Sequence, residues 1–151
     1  MRYKVTIQII GGGAVGLLLA SFFAEKNFSV EIVSKREKQC EALHTDKLIR
    51  NSFTGEKGTF IVGATTQLAE YPDFVVIATK YDALAQIYPL LEKLPTTVPL
   101  LFIQNGLAHY EEALRLPQQH IAFGSAQFGA QRENDYTVNH RGIGVLKVAV
   151  A

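Results

Sequence analysis

The stretch Gly11-Gly12-Gly13-Ala14-Val15-Gly16 constrains this chain more than any other. It follows Val5 to Ile10, a short, apolar, β-branched run with the composition of a strand covered on both faces. It opens Val15 to Lys26, where Val15, Leu18, Leu19, Phe22 and Phe23 recur at helical spacing. A G-x-G-x-x-G string has meaning only in this context of strand, turn and helix. There Gly11 permits the tight turn, Gly13 lets a pyrophosphate approach the backbone, and Gly16 lets the helix pack closely on the strand. The unpaired N–H groups of the helix start, Gly12, Ala14 and Val15 among the residues around them, then face an anion at the positive end of the helix dipole. A glycine-rich turn without a ligand is the alternative, but glycines at these offsets cost conformational entropy that an empty turn need not incur.

Dinucleotide sites usually carry an acid about 20 residues past the glycines, at the end of the second strand, to accept from the adenosine ribose hydroxyls. Here that place reads Val33-Ser34-Lys35-Arg36 and holds no acid. A hydroxyl and two cations suit a 2′-phosphate, which a carboxylate would repel, so the expected cofactor is NADP(H) rather than NAD(H). A solvated helix start, with Glu37 close behind, is the other reading of the same residues.

The remaining pattern is an alternation. Val30 to Val33 is the second strand and Lys35 to Leu43 a mostly polar helix, which completes a βαβ unit with its right-handed crossover. Asp46 to Val62, divided by Thr54-Gly55-Glu56-Lys57-Gly58, reads as a hairpin excursion at the sheet edge. Strand Phe74 to Ala78, helix Asp82 to Leu94, strand Val98 to Ile103 and helix Leu107 to Leu116 follow. Pro89 predicts a kink in its helix or a fresh start with the proline in the first turn. Ile121 to Phe128 is a further strand, and Tyr136 to His140 is expected to pair with Val145 to Val150 across Arg141-Gly142. The fold class is therefore α/β, a Rossmann-like, doubly wound, mostly parallel sheet with an antiparallel C-terminal hairpin. The last residues, Lys147 to Ala151, carry no cap or polar tail, so residues 1–151 are expected to be the dinucleotide-binding domain of a longer chain.

In such a sheet the ligand sits outside the carboxyl ends of the strands. Three ends carry polar or small residues: Ala78-Thr79-Lys80, Gln104-Asn105-Gly106 and Phe128-Gly129-Ala130. An uncharged amide donates to one oxygen and accepts from another, which suits a hydroxyl or ketone beside a nicotinamide, although Asn-Gly is also a common plain turn. Lys80 is either a solvated charge or a ligand.

Together the glycine turn, Ser34-Lys35-Arg36, Thr79-Lys80, Gln104-Asn105-Gly106, and Gly129-Ala130 with His140-Arg141-Gly142-Ile143-Gly144 resemble ketopantoate reductase (2-dehydropantoate 2-reductase) over essentially the whole chain. The resemblance implies NADPH-dependent reduction of 2-dehydropantoate to (R)-pantoate, toward pantothenate and coenzyme A. It implies that Gly11 to Gly16 hold the pyrophosphate, Lys35 or Arg36 the 2′-phosphate, Thr79, Lys80 and Asn105 the nicotinamide end, with Ala130 against the cofactor and Asn105 also facing the substrate. In that family a helical C-terminal domain supplies the lysine that acts as general acid and an acid that binds substrate. Neither lies in these residues, so the chain by itself is expected to bind cofactor and to reduce slowly or not at all.

Other classes fit less well. Lysine plus arginine number 15 against 14 acids, so no long-range field draws nucleic acid or an anionic membrane. Arg2 and Lys4 before an apolar run imitate a secretory signal, but Gln8 and the glycines interrupt it, and no segment reaches the roughly 18 apolar residues of a membrane span. The single cysteine, Cys40, forms no internal disulfide and fits a reducing, cytoplasmic setting. Gly124-Ser125-Ala126-Gln127 does not match a hydrolase nucleophile turn. His44, His109, His120 and His140 stand too far apart for a metal site and are expected to be surface or satisfied polar residues. The competing functions are a nucleotide-sensing module without chemistry and a related 2-keto or 3-hydroxy acid dehydrogenase.

Overall fold

The computed structural model describes residues 4–151; Arg2, part of the signal-like start, lies outside them. Along the chain run β1 (Thr6–Ile10), α1 (Ala14–Glu25), β2 (Ser29–Val33), α2 (Glu37–Asp46), β3 (Leu48–Ser52), β4 (Lys57–Phe60), β5 (Gly63–Thr65) and β6 (Phe74–Ile77). A single 3-10 turn (Tyr81–Ala83) leads into α3 (Leu84–Glu92), followed by β7 (Leu100–Phe102), α4 (Tyr110–Ala113), β8 (Ile121–Ala126), β9 (Ala130–Arg132), β10 (Thr137–His140) and β11 (Leu146–Val150).

Seven strands form one sheet in the order β11-β8-β7-β6-β1-β2-β5, parallel throughout except for β11, which runs antiparallel to β8. This is the doubly wound α/β arrangement. The chain leaves β1 for β2 on one side and returns to β6 on the other, so the crevice between the ends of β1 and β6 is a topological switch point. Register brings Val33 and Ile77 level with Ile10, and Gly11 donates its N–H to the Val33 carbonyl at 2.9 Å. Gln8, the polar interruption of β1, is fully buried but satisfied: its Nε2 donates to Glu31 and its Oε1 accepts from the Ala69 N–H at 2.8 Å.

A second, four-stranded sheet, β4-β3-β10-β9, lies against α1. The helix is thus held between two sheets, with Gly16 to Ser21 all buried, and this accounts for a sequence that is apolar on nearly every side. Ile7, Ile9, Leu17, Leu18, Leu48 and Val138 share that core, while Val75, Ile77, Leu84, Ile87, Leu91, Leu100 and Phe102 form the other, beneath α3.

Several expectations need correction. The excursion does form an antiparallel hairpin, β3 and β4, turning at Gly55, but it belongs to the second sheet rather than to the edge of the first. β5, which lengthens the parallel sheet beside β2, has too few residues to register as a periodic pattern. The expected helix Leu107 to Leu116 contracts to one α-turn, Tyr110–Ala113. The helix restart falls at Leu84, so Pro89 occupies the second turn of α3; Ala85, whose carbonyl loses a donor, is exposed to water.

The C-terminal pairing also differs. Tyr136 to His140 and Val145 to Val150 do not face each other across Arg141-Gly142. β10 pairs with β9 and β3, and β11 pairs with β8. β8 with β9 and β10 with β11 make two long antiparallel arms, joined between the sheets by Gln127 N–H to Val145 carbonyl and Arg141 N–H to Gly129 carbonyl, both 2.9 Å. The true tip is Glu133 to Tyr136, closed by Glu133 N–H on the Thr137 carbonyl and by Asn134 Oδ1 accepting from the Tyr136 N–H at 3.0 Å.

Candidate functional site

A cleft of about 630 Å³ opens at the switch point. Its wall takes Gly11, Gly12, Gly13 and Ala14 from the turn after β1, Ser34, Lys35 and Arg36 from the end of β2, and Ala78, Thr79 and Lys80 from the end of β6. Ala83, Ile87 and Leu90 provide an apolar flank. A larger cavity of about 740 Å³ adjoins it through Val33, Thr66 and Leu90, but is lined mainly by the 66–71 loop and α3 and lies away from the glycine turn.

The turn has the shape the glycines predict. Gly11 adopts φ +118°, a region that disfavours any side chain, and a Cβ there would come within 3.0 Å of the Ala78 backbone. A Cβ at Gly16 would lie 2.1 Å from the Gly11 carbonyl oxygen. At Gly13, by contrast, a Cβ would meet nothing within 4 Å among the described residues, so the backbone is open toward the cleft. Gly13 caps α1, whose first turn carries no acidic side chain to neutralise its N–H groups.

One residue that sequence reasoning missed holds this turn in place. Gln39, on α2 and 1% exposed, donates from Nε2 to the Gly12 carbonyl at 2.8 Å and to the Asp135 carbonyl at 3.1 Å. Its Oε1 accepts from the Ser34 hydroxyl at 2.7 Å. Ser34, expected among the cofactor ligands, therefore turns its hydroxyl inward, where it also accepts from the Arg36 N–H at 3.3 Å. Gln39→Ala removes the partner of the buried Ser34 hydroxyl and of two half-buried carbonyls, so we expect a stability loss of about 2 kcal/mol and a melting temperature about 6 °C lower. A thermal melt within about 1 °C of wild type would show the network to be dispensable.

The cations at the rim are partnered. Lys35 Nζ donates to Gln86 Oε1 of α3 at 2.5 Å. Arg36 pairs with Asp135, whose Oδ1 also lies 3.2 Å from Arg132 Nη1. The hydrogen bond with Asp135 pushes the Arg36 pKa up and holds the Asp135 carboxyl below the usual carboxylate range. The acid absent from the end of β2 is thus delivered by the hairpin tip, a contact across 99 residues of sequence that no local pattern reveals.

At the other strand ends, the Gln104-Asn105-Gly106 turn divides its labour. Gln104 is buried and ties β7 to β6, its Nε2 donating to the carbonyls of Ile77 at 2.9 Å and Thr79 at 2.8 Å. Asn105 is exposed beside it and outside the cleft wall; Gly106 takes φ +82°. Thr79 Oγ1, on the cleft wall, is buried with no hydrogen-bond partner among the described residues. Val15, Gly16 and Ala130 are also outside the wall; Ala130 packs on the α1 core, and Arg132, two residues on, reaches the cleft instead.

His109 corrects the expectation of surface or satisfied histidines. It is 1% exposed among Phe102, Phe123 and Tyr81, and neither ring nitrogen has a hydrogen-bond partner among the described residues. Burial pushes its pKa down and keeps the ring neutral. It lines a separate pocket of about 310 Å³ against β8 and β11.

The family model described as Ketopantoate reductase PanE/ApbA matches residues 7–151. The chain belongs to this family. The 2-dehydropantoate 2-reductase of Listeria innocua is 37% identical over 156 residues, covering 99% of this chain and 51% of that protein. The Bacillus subtilis 2-dehydropantoate 2-reductase is 33% identical, covering 93% and 47%. The chain therefore spans about half the length of the curated family members it matches. A crystal structure of the probable 2-dehydropantoate 2-reductase of Bacillus subtilis superposes with a TM-score of 0.89 at 29% identity, covering 97% of this chain and 50% of that one. D-mandelate dehydrogenase, solved with NADH and anilino(oxo)acetate, shares the fold at a TM-score of 0.84 and 19% identity, covering 95% and 48%. No helix among the described residues is long and apolar enough to cross a membrane.

Proposed function

We propose that this chain is the NADPH-binding part of a cytoplasmic oxidoreductase that reduces the ketone of 2-dehydropantoate to (R)-pantoate. One observation carries the reading: the open glycine turn at the start of α1 and the cations Lys35 and Arg36 line the same cleft. The clearance at Gly13 and the unpartnered Thr79 Oγ1 fit a ligand with a polar backbone lying along this wall. In this reading the N–H groups of the turn hold the pyrophosphate, Arg36 and Lys35 the 2′-phosphate, and Ala83, Ile87 and Leu90 flank the adenine.

A bound reduced nicotinamide supplies a hydride to a carbonyl carbon. Thr79 and Lys80 would position its ring, and Asn105, exposed at the neighbouring strand end, would face the 2-keto acid. The alkoxide then needs a proton, and a helical domain downstream, in the half of the family's length this chain does not span, would provide the general acid.

Asp135 beside Arg36 favours a second reading, a related 2-keto acid reductase that uses NADH, since a carboxylate there accepts from a ribose 2′-hydroxyl. Isothermal titration separates the two. NADPH is expected to bind this chain at least about tenfold more tightly than NADH, the worth of a charge-assisted phosphate contact. Equal affinities would remove the argument from Lys35 and Arg36, and tighter NADH would select the second reading.

A further inference from the structure

The tip of the β9–β10 hairpin has no assigned role, yet it reaches the rim of the cleft. Arg132 lines the cleft together with Lys35 and Arg36, although it comes from the second sheet. Asp135 Oδ1 stands between Arg36 Nη2 and Arg132 Nη1, so that one carboxylate oxygen is shared by two guanidinium groups from different parts of the chain. That is the arrangement a phosphate oxygen takes between two arginines, because carboxylate and phosphate present the same acceptor geometry to a guanidinium. The tip is also fixed in place: the Asp135 carbonyl accepts from Gln39 Nε2, which at the same time holds the Gly12 carbonyl. The pyrophosphate turn and the arginine pair are therefore locked to one another through a single buried side chain.

We propose that this tip sets the nucleotide preference, with Arg132 as a second guanidinium for the 2′-phosphate and Asp135 as the counter-ion which that phosphate displaces. The inference rests on the dinucleotide reading of the cleft given above. Its physical content is a competition. With Asp135 ionised, both arginines are already satisfied, so an incoming 2′-phosphate must exchange one set of charge-assisted hydrogen bonds for another and tolerate a nearby carboxylate. A nucleotide with a free 2′-hydroxyl meets no such repulsion and gains an acceptor. The side chains of Arg36, Arg132 and Asp135 remain 48%, 39% and 21% exposed, so the ion pairs are screened and contribute little to folding. Substituting them therefore perturbs recognition while leaving the fold in place.

The test is titration of the complete chain with NADP⁺, NAD⁺, 2′,5′-ADP and 5′-ADP at one ionic strength, with a thermal melt of each variant as a control for folding. Asp135→Asn keeps the shape and the backbone contact to Gln39 but removes the charge. It is expected to raise the NADP⁺ to NAD⁺ affinity ratio, and the 2′,5′-ADP to 5′-ADP ratio, by about tenfold, the worth of one charge-assisted contact. Arg132→Gln is expected to lower both ratios by about tenfold with NAD⁺ binding little changed. Unchanged ratios in either variant would overturn the inference. So would a parallel loss of all four ligands in Asp135→Asn, which would make the tip a structural prop. The outcomes keep the two levels apart: a wild-type chain that binds no dinucleotide defeats the cofactor reading and this inference with it, whereas a wild type that binds while its variants keep its ratio defeats the inference alone.

Discussion

Gly16→Ala is expected to abolish dinucleotide binding and to lower the melting temperature of the chain by about 10 °C. The added methyl would sit 2.1 Å from the Gly11 carbonyl oxygen, closer than any real contact. Neither side has room to retreat. Gly11 is held at φ +118° with the Ala78 backbone behind it, and Gly16 is buried in a helix pressed between two sheets. Forcing one extra carbon into such a site costs about 3 kcal/mol, the upper part of the range for overpacking, because helix and turn must separate. That separation moves the N–H groups of the turn off the anion they would bind, so an affinity loss of more than about 100-fold should accompany the stability loss. Melting within about 2 °C of wild type and unchanged titration would mean that helix and turn do not depend on this contact.

Arg36→Ala should have the second largest effect, and a selective one. Its side chain is half exposed, so removal should leave the melting temperature almost unchanged. For a nucleotide carrying a 2′-phosphate, two changes act in the same direction: a guanidinium is lost, and Asp135 is left with less positive charge beside it. Together these should weaken NADP⁺ by about 100-fold, roughly two charge-assisted interactions, while NAD⁺ changes by no more than about threefold. Equal weakening of both nucleotides would place Arg36 in general structural support instead of phosphate recognition.

The parts of this site that could be read from sequence were those encoded in neighbouring residues. A strand, a glycine turn and a helix fall within Thr6–Glu25, and the steric demands at Gly11 and Gly16 arise within that same stretch. The cations Lys35 and Arg36 follow directly on the second strand. What escaped was carried by long-range contacts. Near the C-terminus the expected turn was Arg141-Gly142, whereas the chain turns at Asn134-Asp135, and local chemistry gives no reason to prefer that pair. The choice is made by long-range pairing: β10 is held between β9 and β3 in the second sheet, while β11 pairs with β8 at the edge of the first. Gln39 looked like one more polar residue on a polar helix, because its acceptors at Gly12 and Asp135 lie 27 and 96 residues away. His109 was judged by its type; its environment is set by Phe102 and Phe123 on two strands of the sheet.

The double covering of α1 also bears on how ionic strength should act. A surface helix lets salt and water damp its field along one flank, but this one is sheathed by protein over its middle turns, leaving Gly13 as its opening to solvent at the leading end. The arginines at the rim have no such shelter. Raising salt should therefore loosen the grip on the outer phosphate well before the inner diphosphate lets go, so that nucleotide discrimination fades earlier than nucleotide binding.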